Sequence, residues 1–321
     1  MKRQAVAIVA GVITAFCSQW VHAEWPERSI TLVVPYPAVG NSDIIARITA
    51  EWLGKALKQS IVVENRGGAG GAIAAEYVAR APANGYILFN SASAVSTIIP
   101  HLQKVNFDPF KSFAPISIVG TNAIAFAVNA SVPVKTLAEF VDYAKARPGQ
   151  LNYTAGAAGG IGHLTMALFL KRAGLAMPHV AYKGGAPAMA DVLGGRVPII
   201  LTNVAEVLPY YKSGKLKILA VSSEKRGSQL PEIPTVAEQG YPGFATGTWN
   251  GLAAPAGTPK DVIAKIARAI SPACKDAAFD AKFHEVGVDA LCTTPEQFAQ
   301  RLRADWTMWG EAVKLSGVAV Q

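Results

Sequence analysis

Few residues in this 321-residue chain stand where their type and spacing would do chemistry. The five histidines, His22, His101, His163, His179 and His284, form no H-x-H, H-E-x-x-H or Cys-x-x-Cys neighbourhood, so no metal site is expected. No serine has the Gly-x-Ser-x-Gly context of a nucleophile elbow. Gly67–Ile73 imitates a dinucleotide fingerprint but carries Ile73 where the third glycine belongs. Gly159-Gly160-Ile161-Gly162-His163 fails in the same way, and Gly214-Lys215 runs on into Leu216, so no loop cradles a phosphate. Neither a cofactor nor a catalytic residue is expected, and an enzyme built on His163 with Asp43 is the weakest of the functions weighed. His163, at a helix start with no partnered nucleophile, is read as a donor that orders its loop rather than as a general base. Asp43, at another helix start, is read first as a cap interacting with the helix dipole.

What remains is backbone chemistry. Tyr36–Ser42 and Gly156–Gly162 both close a strand, open a helix and are rich in small residues that leave N–H groups accessible. A helix N-terminus offers unsatisfied donors and about half a positive charge, which suits a carboxylate. Two such ends facing each other would grip an anion.

The elements that must hold these loops follow from the pattern. Short β-branched runs alternate with amphipathic segments, the mark of an α/β protein with mainly parallel strands. Ser29–Pro35 is a near-continuous apolar run, as in a strand covered on both faces. Pro35 and Pro37 stop it, Gly40 turns, and Asn41 or Ser42 can cap a helix over Asp43–Leu57, where Ile44, Ile48 and Trp52 recur every four residues beside Ile45 and Leu53. The same rhythm places strands at Ile61–Glu64, Leu151–Thr154 and His179–Tyr182 before helices at Gly70–Arg80, Gly162–Ala173 and Ala186–Leu193. Strands at Leu216–Val221 and Thr246–Ala253 follow, then helices at Lys260–Lys275, Ala277–Val286 and Pro295–Val313.

Composition bounds the rest. With 51% hydrophobic and 16% charged residues, the chain is no disordered segment, and its length suits two domains of about 100–200 residues. The net charge of +8 is scattered, with no run of five basic residues, which argues against a nucleic-acid groove. Residues 1–23 read as a secretory signal peptide: Lys2 and Arg3, an apolar run Ala5–Phe16, and Val21-His22-Ala23 as the cleavage site. That run covers about 18 Å, too short to span a membrane core of about 30 Å. Phe16 before Cys17 argues against a lipid anchor. Export would put Cys274 and Cys292 where they can pair, although spacing alone leaves two free thiols equally open.

Over essentially the whole chain after residue 23, the sequence resembles the Bug family of periplasmic substrate-binding proteins of tripartite tricarboxylate transporters. The resemblance is carried by Val33-Val34-Pro35-Tyr36-Pro37-Ala38-Val39-Gly40-Asn41-Ser42-Asp43, Val62-Val63-Glu64-Asn65-Arg66-Gly67-Gly68-Ala69-Gly70-Gly71 and Asn84-Gly85-Tyr86. Further on it rests on Pro148-Gly149-Gln150-Leu151-Asn152-Tyr153, Gly162-His163-Leu164, Tyr182-Lys183-Gly184, Pro231-Glu232-Ile233-Pro234-Thr235-Val236-Ala237-Glu238 and Ala254-Pro255-Ala256-Gly257-Thr258-Pro259. It implies a type II periplasmic-binding-protein fold, two α/β lobes joined by crossing strands, with 24–122 plus 224–321 in the first lobe and 123–223 in the second. It also implies a monomer that closes on a small organic acid and passes it to a membrane permease; a co-receptor for a membrane sensor kinase is the alternative. Mapped onto this chain, the ligand-binding residues of the first lobe are Tyr36, Ala38, Val39, Gly40, Asn41 and Asp43, with Ser91 and Ser93 near by. The second lobe contributes Ala157, Gly160, His163, Tyr182, Gly184 and Asn203. Trp249 either lines the cleft or is a buried structural residue. Val39 departs from the family, many of whose members have a second glycine there; its side chain would favour an apolar or aromatic acid over a small polar diacid.

Overall fold

A computed structural model describes residues 25–320, so the signal-peptide reading and the cleavage after Ala23 lie outside the described residues. The chain begins β1 (Ile30–Val34), α1 (Asn41–Leu57), β2 (Ile61–Asn65), α2 (Ala72–Ala79), β3 (Ile87–Ala92), α3 (Ser93–Thr97), α4 (Ile99–Leu102) and β4 (Phe113–Asn122). Ala123 alone separates β4 from β5 (Ile124–Asn129), which belongs to another sheet. There follow α5 (Leu137–Lys145), α6 (Ile161–Ala173), α7 (Gly185–Leu193), β6 (Ile199–Asn203), α8 (Val204–Lys212) and β7 (Leu216–Val221). The chain then returns through β8 (Thr248–Pro255) to α9 (Lys260–Ile270), α10 (Ala277–Glu285), β9 (Asp289–Ala290) and α11 (Pro295–Ser316). The larger sheet has the order β2-β1-β3-β8-β4-β9 and the smaller β6-β5-β7.

The alternation of side chains along β1 explains its apolar run. Ile30, Leu32 and Val34 enter one core with α1, α9 and α10, while Val33 enters the core under α2 on the opposite face. On α1 the buried stripe runs through Ile45, Ala46, Thr49, Ala50, Leu53 and Leu57, and Ile48 and Trp52 only flank it. The stripe is turned from the Ile44–Ile48–Trp52 line because Ala46, Thr49 and Ala50 let the helix lie close to the sheet.

Three expectations are corrected. Among the described residues the only parallel ladders are those of β1 with β2 and β3; the ladders β3–β8, β4–β8, β4–β9, β5–β6 and β5–β7 are antiparallel. The chain leaves the larger sheet along β4 and comes back along β8, and neighbouring strands that carry it out and back must run oppositely. Leu151–Thr154 and His179–Tyr182 shrink to single bridges, Tyr153–His179 and Thr154–Ile200, because the turns at Gly149 and Gly156 leave little extended chain between them. The helix from Lys260 stops at Ile270, ahead of Pro272, and resumes only as a 3-10 turn at Ala273–Lys275.

Between β7 and β8 the chain first adds to the smaller sheet's side. Thr235 bridges Val221, and Leu230, Ile233, Val236 and Phe244 pack into the cores around β5–β7. The chain returns to the larger sheet after Thr246, whose N–H reaches Ser222 O at 2.8 Å. Cys274 and Cys292 form a disulfide with Cα atoms 5.7 Å apart. It closes an 18-residue separation, a constraint worth about 3 kcal/mol in chain entropy.

Candidate ligand-binding site

The loop after β1 is held from behind by one carboxylate. Asp43, in the first turn of α1 and 2% exposed, accepts the Val39 N–H and the Arg47 Nε–H on Oδ2 and the Asn65 amide on Oδ1, each at 2.9 Å. Burial alone would raise its pKa. The Arg47 guanidinium, the Val39 N–H and the Asn65 amide outweigh that and hold the carboxyl below its ordinary value. Asn65 also donates to Tyr36 O at 3.0 Å, so β2 ties down both ends of the loop. Asp43 thus supports the loop, and its reading as a simple cap is replaced by that of a three-way acceptor.

The loop before α6 is built in the same way. Gly159 N–H donates to His163 Nδ1 at 3.0 Å, as Val39 N–H does to Asp43, in each case four residues on. Gly40 and Gly160 are the extended N-caps of α1 and α6, with φ, ψ of −76°, 163° and −69°, 162°. The residues before them, Val39 and Gly159, have φ of 69° and 75°. This is a left-handed conformation that glycine adopts freely and a β-branched residue only under strain. His163 is an acceptor in this bond, not the donor expected from sequence. Its ring stacks on His179 with centroids 3.9 Å apart, beside Tyr153. Burial, with His179 adjacent, pushes it down to about 4, and burial also lowers His179, so both rings are neutral near pH 7. α6 then presses onto β6 so closely that a Cβ on Gly162 would lie 2.1 Å from Leu201 O.

A circuit of contacts joins the two loops. Asn41 donates to Val286 O at 3.2 Å; next to Val286, Gly287 abuts Ala205 in the first turn of α8. From α8, Glu206 reaches Gly185 at the start of α7, and Gly184 and Gly185 lie against Gly156. On the other side Gly159 lies against Leu102 of α4, which packs on the core shared by Ile98, Leu164 and Trp309, while Asn90 of β3 donates to Ser42 Oγ at 2.9 Å. The N-termini of α1, α6, α7 and α8 all lie on this circuit.

The remaining expected residues fall on or behind it. Ala38, Val39, Gly40 and Ala157 are exposed, Val39 by 83%, so its side chain stands in solvent. Gly160 and Gly184 are half-buried helix caps. Tyr36 packs with the α2 core, and burial pushes its phenol up to about 12. Ser91 is buried against Ser96 Oγ at 2.9 Å, and Ser93 Oγ accepts the Trp249 N–H at 3.3 Å. Tyr182 gives its hydroxyl to Asp191 at 2.6 Å and its N–H to Gly156 O at 2.9 Å. Its hydrogen bond to Asp191, more than burial, raises its pKa. Asn203 ends β6 with a buried Oδ1 that has no partner. Trp249 is 1% exposed and bonds Asp305 through Nε1 at 2.7 Å, so it is a structural residue and does not line the cleft.

Sequence reasoning missed the support under the first loop. Ser42, Asn90 and Asn250 form a buried hydrogen-bonded cluster, and Asn122 donates to Asn41 Oδ1 at 3.2 Å. The available signal was an asparagine inside an otherwise apolar strand, as in Leu88-Phe89-Asn90 and Trp249-Asn250-Gly251, because a buried amide must find partners. Among the described residues there is no group of three or more His, Cys, Asp or Glu placed to hold a metal ion, and no helix long and apolar enough to cross a membrane.

Comparison with known proteins identifies the family. The family model described as "Tripartite tricarboxylate transporter family receptor" matches residues 45–318. Protein BugT of Bordetella pertussis is 32% identical over 324 residues, covering 100% of this chain and 99% of BugT. Rpa4515 of R. palustris, solved with adipate, superposes with a TM-score of 0.76 at 32% identity, over 92% of this chain and 99% of that one. MatC (Rpa3494) of Rhodopseudomonas palustris, with bound malate, gives 0.71 at 28% identity, over 90% and 100%. The chain belongs to the tripartite tricarboxylate transporter receptor family, the periplasmic solute-binding receptors that include the Bug proteins.

Proposed function

We propose that this receptor takes a small organic carboxylate between the Tyr36–Ser42 and Gly156–Gly162 loops and delivers it to the permease of its transporter. The observation that carries the reading is the duplicated loop. On each sheet a residue with positive φ gives its N–H to a side chain four residues on, behind an extended glycine cap. Such a loop is fixed from behind, which leaves the helix's first donors facing the crevice. Adipate and malate in the two relatives are carboxylates, the class those donors suit.

In this reading the lobes are 24–122 plus 224–321 and 123–223, with the stretch from Leu230 to Phe244 counted with the second because it packs there. The chain is exported after cleavage at Ala23, acts as a monomer and binds no nucleic acid. A thermal-shift screen over organic acids tests the binding. An acid at 100 times its dissociation constant stabilises the folded form by about 2.7 kcal/mol, enough to move the melting midpoint by degrees. A panel of mono-, di- and tricarboxylates, aliphatic and aromatic, that leaves the midpoint unmoved refutes it.

A further inference from the structure

We propose that Glu206 sets the charge of the ligand: the site takes an acid with a single carboxylate whose far end carries a hydrogen-bond donor or an ammonium group, and it discriminates against a second carboxylate. The inference rests on the receptor reading above and refines it.

Glu206 lies in the first turn of α8, with Oε2 bonded to Thr202 Oγ1 at 2.6 Å and Oε1 to Asn203 Nδ2 at 3.3 Å. The same Oε2 is 3.4 Å from where a Cβ on Gly185 would sit, at the opening of α7. Its carboxylate therefore stands at the N-terminal ends of two helices, α7 and α8. Those ends would otherwise attract an anion; here the protein's own anion is already in place. On one flank Gly184 and Gly185 touch Gly156 of the donor loop, and on the other Ala205 meets Gly287, next to the Val286 carbonyl that holds Asn41. Glu206 thus belongs to the circuit around the crevice.

Two observations separate this from helix capping. A glutamate at this place in a capping box would reach back to the cap's backbone N–H, whereas both Glu206 oxygens go to side chains. Among the described residues its charge has no ion-pair partner, and the side chain is exposed. Beside it the Asn203 Oδ1 is buried with no hydrogen bond. On the receptor reading, this end of the crevice therefore carries the exposed negative charge of Glu206, while the helix starts behind Val39 and Gly159 offer donors. A ligand complementary to both ends is an anion at one end and a donor at the other.

Three acids with one six-carbon chain isolate the far end: hexanoate, adipate and 6-aminohexanoate, measured by calorimetry on the wild type, Glu206→Gln and Glu206→Asp. One unit charge at about 4–6 Å in largely aqueous surroundings alters affinity about three- to sixfold. The wild type is expected to bind adipate at least that much more weakly than hexanoate and 6-aminohexanoate. Glu206→Gln should strengthen adipate and weaken 6-aminohexanoate by similar factors, leave hexanoate within about twofold, and Glu206→Asp should keep the wild-type order. Adipate bound as tightly as the others by the wild type, or an order unchanged in Glu206→Gln, overturns the inference and leaves the receptor reading standing. Absence of binding by every acid here and in the wider panel overturns both.

Discussion

Replacing Asp43 by asparagine separates two roles that the sequence could not. A residue at a helix start that only caps the backbone is served nearly as well by Asn as by Asp; on that view Asp43→Asn costs less than about 0.5 kcal/mol. The structure gives a different answer. Both oxygens of Asp43 are acceptors, and all three partners are donors: Val39 N–H, Arg47 Nε–H and the Asn65 amide. An asparagine has one oxygen, so whichever way its amide is turned, an NH2 faces a donor. The Arg47 side chain is 54% exposed, and its loss is worth under about 1 kcal/mol. The other two bonds end on a carboxylate that is 2% exposed. At about 1–1.5 kcal/mol each after water replaces what it can, removing all three, as in Asp43→Ala, costs about 3 kcal/mol. An asparagine whose oxygen takes the Oδ2 place keeps the Val39 and Arg47 bonds without the charge and sets its NH2 against the Asn65 amide, so Asp43→Asn should cost about 1–2 kcal/mol.

Urea melts at pH 7 measure this difference, and acid adds a second check. The Asp43 carboxyl is held below its ordinary value in the folded protein. Its contribution is therefore complete above the unfolded pKa of about 3.9 and is lost as pH falls through the lower folded value. The wild type should converge on Asp43→Asn only in that acid range. An asparagine variant within about 0.5 kcal/mol of the wild type at pH 7 would refute the three-acceptor account.

Two further outcomes follow from the same loops. Val39→Gly removes a left-handed strain of about 1–2 kcal/mol and adds about 0.5–1 kcal/mol of unfolded-chain entropy, so stability should rise slightly; the same variant should lose preference for aromatic over aliphatic acids, and an unchanged preference retires the idea that Val39 shapes specificity. His163 should titrate near pH 4 in the folded protein, followed through its ring proton by NMR. Because the folded value is lowered, its contribution is complete above about 6.5 and drains away as pH falls toward 4. A midpoint near 6.5 for that ring would show that the Gly159–His163 bond does not persist in solution.

How much was legible from sequence depended on how local the cause was. β1, α1, β2, α6, β7, β8, α10 and α11 were placed to within a few residues, because the helices carry their own periodicity and β1 is an apolar run cut off by Pro35 and Pro37. β3, β4, β5 and β6 went unread. Their runs, such as Ile124–Asn129, are buried on both faces, and an apolar stretch of that kind has no period to distinguish it from neighbouring buried chain. Strand direction was misjudged because it depends on β4 and β8 meeting across more than 120 residues, which no window can see. The loops were found from their glycines, yet the residues that fix them were not. Asp43 was visible as an acid at a helix start, but its three donors come from Val39, Arg47 and Asn65, and Asn65 is on another strand. The Glu206–Gly185 approach joins two helix starts that only folding brings together.

The repeated loop explains why position 39 is unusual in this chain without appeal to its relatives. Gly40 corresponds to Gly160 by its dihedral angles, and a Cβ on either would approach the carbonyl three residues back, Pro37 O at 3.5 Å or Ala157 O at 3.2 Å. Val39 then corresponds to Gly159, and the geometry demands positive φ at both. A valine survives there because its N–H is drawn to an ionised carboxylate, a stronger acceptor than the neutral imidazole that holds Gly159. The strain at Val39 and the acceptor at Asp43 are thus linked: in an Asp43→Ala background the valine loses the bond that compensates its conformation. Val39→Gly should then restore more stability there than it adds to the wild type. Two loops of one design, one held by a charge and the other by a neutral ring, aim their donors before any ligand arrives, so the ordering cost is met in folding rather than in binding.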